Sequence, residues 1–230
     1  RVDNLCVCRD GLKILRDITF EVQKGSINAI LGPNGAGKST LLYSLMGLLH
    51  LTSGTITFNG KNITHVPTHQ RFKLGISLVP EKRYGFLPNF TVEENLKSGI
   101  YAKKDKIDLN ARLEYVYALF PALKELRKQK SKTLSGGELQ MLVMGRTLIS
   151  DPNFLMLDEP CYGLAPLLAS ESISAIEEIN KEGTTILLAE QSVNILEISD
   201  RVYVFENGQI AFESSAKNIS QQEIAKMYLE

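Results

Sequence analysis

The stretch Gly32-Pro-Asn-Gly-Ala-Gly-Lys38-Ser39-Thr40 limits the folds open to this chain more than any other feature. It fits the pattern G-x-x-x-x-G-K-[ST], follows the apolar run Ile27 to Leu31 and precedes the helical run Leu41 to Met46. Strand, glycine loop and helix stand in the order a phosphate-binding loop needs. The glycines let the backbone curl into a nest of N–H donors, and the helix N-terminus adds partial positive charge. Lys38 can then reach the β- and γ-phosphates, and Ser39 can ligate Mg²⁺. The candidate binding set is Gly32, Pro33, Asn34, Gly35, Ala36, Gly37, Lys38, Ser39 and Thr40. An ordinary strand-to-helix turn needs one or two glycines but no Lys-Ser at its exit.

Short β-branched and aliphatic runs recur at Ser26 to Leu31, Leu74 to Val79, Phe154 to Leu157 and Thr184 to Ala189, with helix-like stretches between them. That alternation predicts an α/β fold with a mainly parallel sheet. Near the start, Ile18 to Val22 and Gly54 to Phe58, the latter followed by Asn59-Gly60, predict an antiparallel β subdomain. From Thr91 to Leu134 the β-signals give way to helix formers, with a capping box at Thr91-x-x-Glu94 and a break at Pro121. Asn207-Gly208 predicts a late hairpin, followed by a short amphipathic helix near Ile224 and Met227.

With 230 residues, 43% of them apolar, the chain can bury a core as one domain, and its 26 basic and 26 acidic residues give no bulk attraction to nucleic acid. Cys6, Cys8 and Cys161 cannot all pair within the chain and are read as thiols. No apolar run reaches the ~20 residues needed to span a bilayer, and no signal core opens the sequence, so a cytosolic location is expected. The start at Arg1 rather than Met suggests that a few native residues precede it. Two basic clusters, Lys103 to Lys106 and Lys124 to Lys132, read as solvated faces, with anionic lipid headgroups as the alternative.

Phe154 to Leu157 is an apolar strand ending in Asp158-Glu159. Beside a P-loop, Asp158 is expected to help hold Mg²⁺, and Glu159 to orient and deprotonate the attacking water. Leu134-Ser135-Gly136-Gly137-Glu138 opens a helix with Ser135 as N-cap and Glu138 completing a capping box. Two glycines in a first turn cost roughly 1 kcal/mol each, which close approach of a phosphate would explain.

In this order, P-loop, Leu-Ser-Gly-Gly-Glu signature and Asp158-Glu159 resemble the ABC ATPases over essentially the whole chain. The resemblance implies one ABC ATPase domain over 1–230, with a helical subdomain inserted at about 91–150, binding ATP and Mg²⁺. Two such domains pair head to tail in the family, so Ser135, Gly136, Gly137 and Glu138 would face the partner subunit's ATP. Glu81 stands where the family usually carries a Gln near the metal, Gln191 where it carries a switch His, and Ala165 where it carries Asp. These departures, with Thr91 to Leu96 and Glu190-Gln191, resemble the ATPase subunits of branched-chain amino acid importers. Lys82-Arg-Tyr-Gly-Phe-Leu-Pro88 departs from their usual arginine pair and Ile-Phe-Pro. The adenine-stacking aromatic of the family falls here on Arg9 or Cys8, and an arginine plane can stack on a base. The implied partners are a second ATPase subunit and membrane permease subunits at the cytoplasmic face, with no contact to the solute and none to nucleic acid. Importers of urea, short amides or other solutes, and non-transport ABC ATPases of DNA repair or translation, are the alternative readings.

Overall fold

The computed structural model describes residues 1–81, 85–100 and 107–227. Strands β1 (Val2–Arg9), β2 (Leu12–Phe20), β4 (Ser53–Phe58) and β5 (Lys61–Asn62) form an antiparallel sheet in the order β2-β1-β4-β5. The second sheet runs β10-β9-β3-β8-β7-β6, built from β3 (Ile27–Leu31), β6 (Ile76–Val79), β7 (Phe154–Asp158), β8 (Thr185–Glu190), β9 (Arg201–Glu206) and β10 (Gln209–Ser215). Its pairs are parallel except for the β9–β10 hairpin. Asn207 and Gly208 turn that hairpin at φ 48° and 77°, and Asn59 and Gly60 turn the β4–β5 hairpin at φ 48° and 75°. Left-handed backbone at both central positions is what a twisted two-residue hairpin demands, and Asn-Gly supplies it at low cost.

The parallel strands alternate between two cores, as a period-2 side-chain pattern requires. Ala29, Leu31, Leu155, Leu157, Ile186 and Leu188 face one side, packing with the helices α3 (Val92–Ser98), α4 (Leu109–Leu119), α5 (Pro121–Glu125), α6 (Gly136–Leu148) and α7 (Pro166–Lys181). Ile30, Met156, Leu187, Ala189, Tyr203 and Phe205 face the other, against the antiparallel sheet and α1 (Lys38–Met46). Helices α3 to α6 lie between β6 and β7 in the chain, and α2 (Thr68–Lys73) and α8 (Gln221–Met227) complete the α-helices among the described residues. None of these is long and apolar enough to cross a membrane.

One strand starts later than the sequence pattern predicts. Leu74 caps the C-terminus of α2, Gly75 turns the chain at φ 90°, and β6 begins only at Ile76. Arg71 is almost fully buried and donates to the carbonyls of Ser44, Leu45, Ile63, Thr64 and Val66, which ties the end of α1 to the loop before α2. The five carbonyls offset the cost of burying its charge.

Candidate functional site

Parallel pairing places the carboxyl ends of β3, β8, β7 and β6 side by side, with Leu31 opposite Glu190, Ala189 opposite Asp158, and Val79 opposite Leu157. Loops leaving such an edge are where α/β sheets collect ligands. Here they carry the glycine loop after β3, Glu81 after β6, Asp158-Glu159 at the end of β7, and Gln191 after β8.

The glycine loop ends at Gly37, the N-cap of α1, at φ 106° with no side-chain cap and no acid in the first turn. A Cβ at Gly32 would stand 2.5 Å from the Phe205 carbonyl oxygen, so the loop can turn there only as glycine. Lys38 lies folded back over this loop. Its Nζ donates to the carbonyls of Gly32 (2.8 Å) and Pro33 (3.1 Å) and lies 3.3 Å from Glu159 Oε1. Both side chains are buried, so each charge needs the other, and removing one would leave an uncompensated charge in the interior.

Ser39 Oγ donates to Asp158 Oδ1 at 2.9 Å, while Asp158 Oδ2 is buried without a hydrogen-bond partner. Burial pushes the Asp158 carboxyl up to about 6; the Ser39 hydrogen bond and Lys38 oppose this, and Glu81 and Glu159 add to it. An orphaned carboxylate oxygen among hydroxyl and carboxylate donors suits a hard divalent cation. Among the described residues no group of three or more His, Cys, Asp or Glu is arranged to hold a metal. Ser39, Asp158 and Glu81 would therefore form an incomplete shell, of the kind Mg²⁺ fills with water and phosphate oxygens.

Glu159 is a non-glycine residue at φ 49°, a conformation costing about 1–3 kcal/mol that its surroundings must hold in place. Its N–H donates to the Ala189 carbonyl at 2.8 Å. Gln191 Nε2 donates to Glu159 Oε1 and Oε2 at 3.0 and 3.1 Å and to Asn34 Oδ1 at 2.8 Å, so one amide spans the catalytic carboxylate candidate and the glycine loop. Glu190 was given no role in the sequence analysis. It is buried, accepts from the Cys161 and Gln191 backbone N–H groups, and has its pKa raised mainly by burial. Its signal was an acidic residue closing an otherwise apolar strand.

The signature segment is separate. Ser135 Oγ accepts from Glu138 N–H and Glu138 Oε2 accepts from Ser135 N–H, a closed capping box at the start of α6. Close packing gives Gly137 a role of its own, since a Cβ there would lie 2.4 Å from Leu168 Cδ1 of α7. Arg9 ends β1 at the surface, 77% exposed, with its ion pair to neighbouring Asp10 at 3.8 Å. Cys8 is exposed as well, its N–H donating to Thr52 Oγ1. The cluster Lys103 to Lys106 and the stretch Lys82 to Tyr84 lie outside the described residues. In the other basic cluster, Lys124 pairs with Glu114 at 2.7 Å.

A mainly parallel sheet whose carboxyl edge collects a glycine loop, an Asp-Glu pair and a bridging Gln defines a nucleoside triphosphatase of the P-loop class. Residues 15–162 match the ABC transporter family model, a span holding the P-loop, Glu81, the signature and Asp158-Glu159 but ending before Gln191. The chain belongs to the ABC transporter family and carries its ATPase domain. It is 41% identical to the high-affinity branched-chain amino acid transport ATP-binding protein BraG of Pseudomonas aeruginosa, covering 95% of this chain and 94% of that protein. It is 44% identical to the probable branched-chain amino acid transport ATP-binding protein LivF of Archaeoglobus fulgidus, covering 92% and 90%. Among solved structures, the ADP conformation of MJ1267, an ATP-binding cassette of an ABC transporter, superposes with a TM-score of 0.82 at 29% identity over 100% of this chain and 94% of that one.

Proposed function

We propose that this chain is the ATP-hydrolysing subunit of a branched-chain amino acid importer, working on the cytoplasmic face of the membrane with permease subunits and a second ATPase subunit. The observation that carries the catalytic part is the contact of Glu159 with both Lys38 and Gln191. Identity above 40% to BraG and LivF over nine-tenths of the chain supports the transport class.

Lys38 is held by carbonyls and Glu159 until phosphate oxygens offer it a stronger partner. Its departure frees the Glu159 carboxylate to accept a proton from water. Gln191 has no useful acid-base chemistry, but its amide can hold Glu159 in line and donate to a phosphate oxygen. Ser39, Asp158 and Glu81 would hold Mg²⁺, which supplies positive charge against the phosphates. Gly32 to Thr40 would cradle the nucleotide, Arg9 would stack on the base, and Ser135 to Glu138 would meet the partner subunit's ATP. For the permease, a groove of about 620 Å³ between α1, α2, α3 and α6 offers an apolar wall of Met46, Leu48, Phe72 and Val143. Such a groove suits an amphipathic helix.

Uptake of radiolabelled leucine in a strain lacking the native gene tests this reading. Wild-type chain should restore uptake, and Glu159→Gln should not. If deletion leaves leucine uptake intact while uptake of urea or another solute falls, the cargo assignment is overturned. If the tagged chain purifies from native membranes without any permease subunit, the transport assignment goes too.

A further inference from the structure

Glu190 is the last residue of β8 and has no part in the chemistry set out above. By strand alternation it leaves the sheet on the face of Ile186 and Leu188, the face that packs with α7. It is only 4% exposed, and each carboxylate oxygen takes one backbone N–H. Oε1 accepts from Cys161 at 2.9 Å, and Oε2 accepts from Gln191 at 3.2 Å. Pro160 has no N–H, so the Cys161 donor is the first one available after Glu159.

These two bonds close a ring. It runs from the Glu159 carboxylate to the Gln191 amide, along the Gln191 backbone to Glu190, and through Cys161 and Pro160 back to Glu159. The Glu159 N–H, bonded to the Ala189 carbonyl at 2.8 Å, ties the ring to the same strand. We propose that Glu190 is a positioning residue that locks the loop after Glu159 to the loop after β8 and so holds the Glu159 carboxylate against the Gln191 amide. The proposal rests on the reading of Glu159 as the general base. Glu159 sits at φ 49°, a backbone conformation that persists only where its surroundings hold it. An ionised carboxylate suits the place of Glu190 because it is all acceptor, whereas an amide would turn its own NH₂ group against one of the two N–H donors. Misplacing a reacting group by about 1 Å can cost on the order of 100-fold in rate.

Phosphate release by the chain assembled with its partner subunits tests this, using Glu190→Gln, Glu190→Ala, Glu159→Gln and the double mutant Glu159→Gln/Glu190→Gln. Glu190→Gln keeps the size and one acceptor oxygen, and Glu190→Ala removes both. Turnover should fall about 10-fold in the first and about 100-fold in the second, with KM for ATP within about twofold of wild type. Because the effect runs through Glu159, the double mutant should be no slower than Glu159→Gln alone. Losses that multiply in the double mutant, or turnover and ATP affinity falling together, would make Glu190 a structural residue and overturn the proposal. So would wild-type turnover in Glu190→Ala. If Glu159→Gln alone turns over normally, the reading of the base fails instead, and the role of Glu190 falls with it.

Discussion

Two helix N-termini in this chain carry the sequence marks of anion sites, and they are built in opposite ways. At α1 no side chain caps the first turn, no acid neutralises it, and left-handed Gly37 leads the open N–H groups into the glycine loop. At α6 a hydroxyl and a carboxylate close on each other, so Ser135 and Glu138 satisfy the end of the helix from within. Open N–H groups at a helix start favour an external anion, whereas a closed capping box has already supplied one. On the proposed function, the α1 end would be a nucleotide site in the single chain. The α6 end would be a preformed surface that meets a phosphate only when a partner brings one.

The largest effect should come from the α1 side. Removing the proposed general base with Glu159→Gln should slow hydrolysis by roughly 10²–10⁴-fold with little loss of ATP affinity. With hydrolysis blocked, the mutant should associate with itself or its partner in Mg-ATP and not in Mg-ADP, read as mass by light scattering. Normal turnover would remove Glu159 from catalysis.

Asp158 should give the next largest effect, on stability and with the sign of a strained site. Its folded-state pKa of about 6 lies above its ordinary value of 3.8, so the folded chain takes up the proton first as pH falls. Without metal, the stability it contributes is present below about pH 4 and is lost as pH rises through 6, on the order of 2–3 kcal/mol. Metal-free Asp158→Asn should therefore melt higher than wild type at pH 7, with the gap closing toward pH 4. A gap that does not vary with pH would show that Asp158 is not strained by burial.

On the α6 side, Glu138→Ala opens the capping box and should cost about 1 kcal/mol of stability, while ATP affinity of the single chain stays unchanged. Chemical denaturation and calorimetry read the two quantities separately. The smallest effect belongs to Arg9. If it stacks on adenine, Arg9→Ala should weaken ATP binding by at most about 1 kcal/mol, and Arg9→Tyr should restore it. Equal affinity in all three chains would withdraw it.

Much of this contrast is written locally and could be read from sequence. Both capping boxes, both Asn-Gly hairpins and the strand-loop-helix order depend on residues a few positions apart. What could not be read depends on strands that meet from far along the chain. Lys38 touches Glu159, and Gln191 touches Asn34, only because β3, β8 and β7 lie side by side. The left-handed backbone of Glu159 and the unpaired oxygen of Asp158 are products of that assembly. Gly137 shows a signal read for one cause that has a second. Close approach of a phosphate is one cause, and the packing of Leu168 against its face, where a Cβ would have to displace the Leu168 methyl, is the second.

Calorimetric titration of ATP into the single chain compares the two helix ends most directly, using wild type, Lys38→Ala and Ser135→Arg under conditions where each is monomeric. The open end of α1 and the closed end of α6 predict that Lys38→Ala loses nearly all ATP affinity while Ser135→Arg binds within about twofold of wild type. Equal loss in both chains would place the signature at this chain's own nucleotide and contradict the division of labour between the two helices.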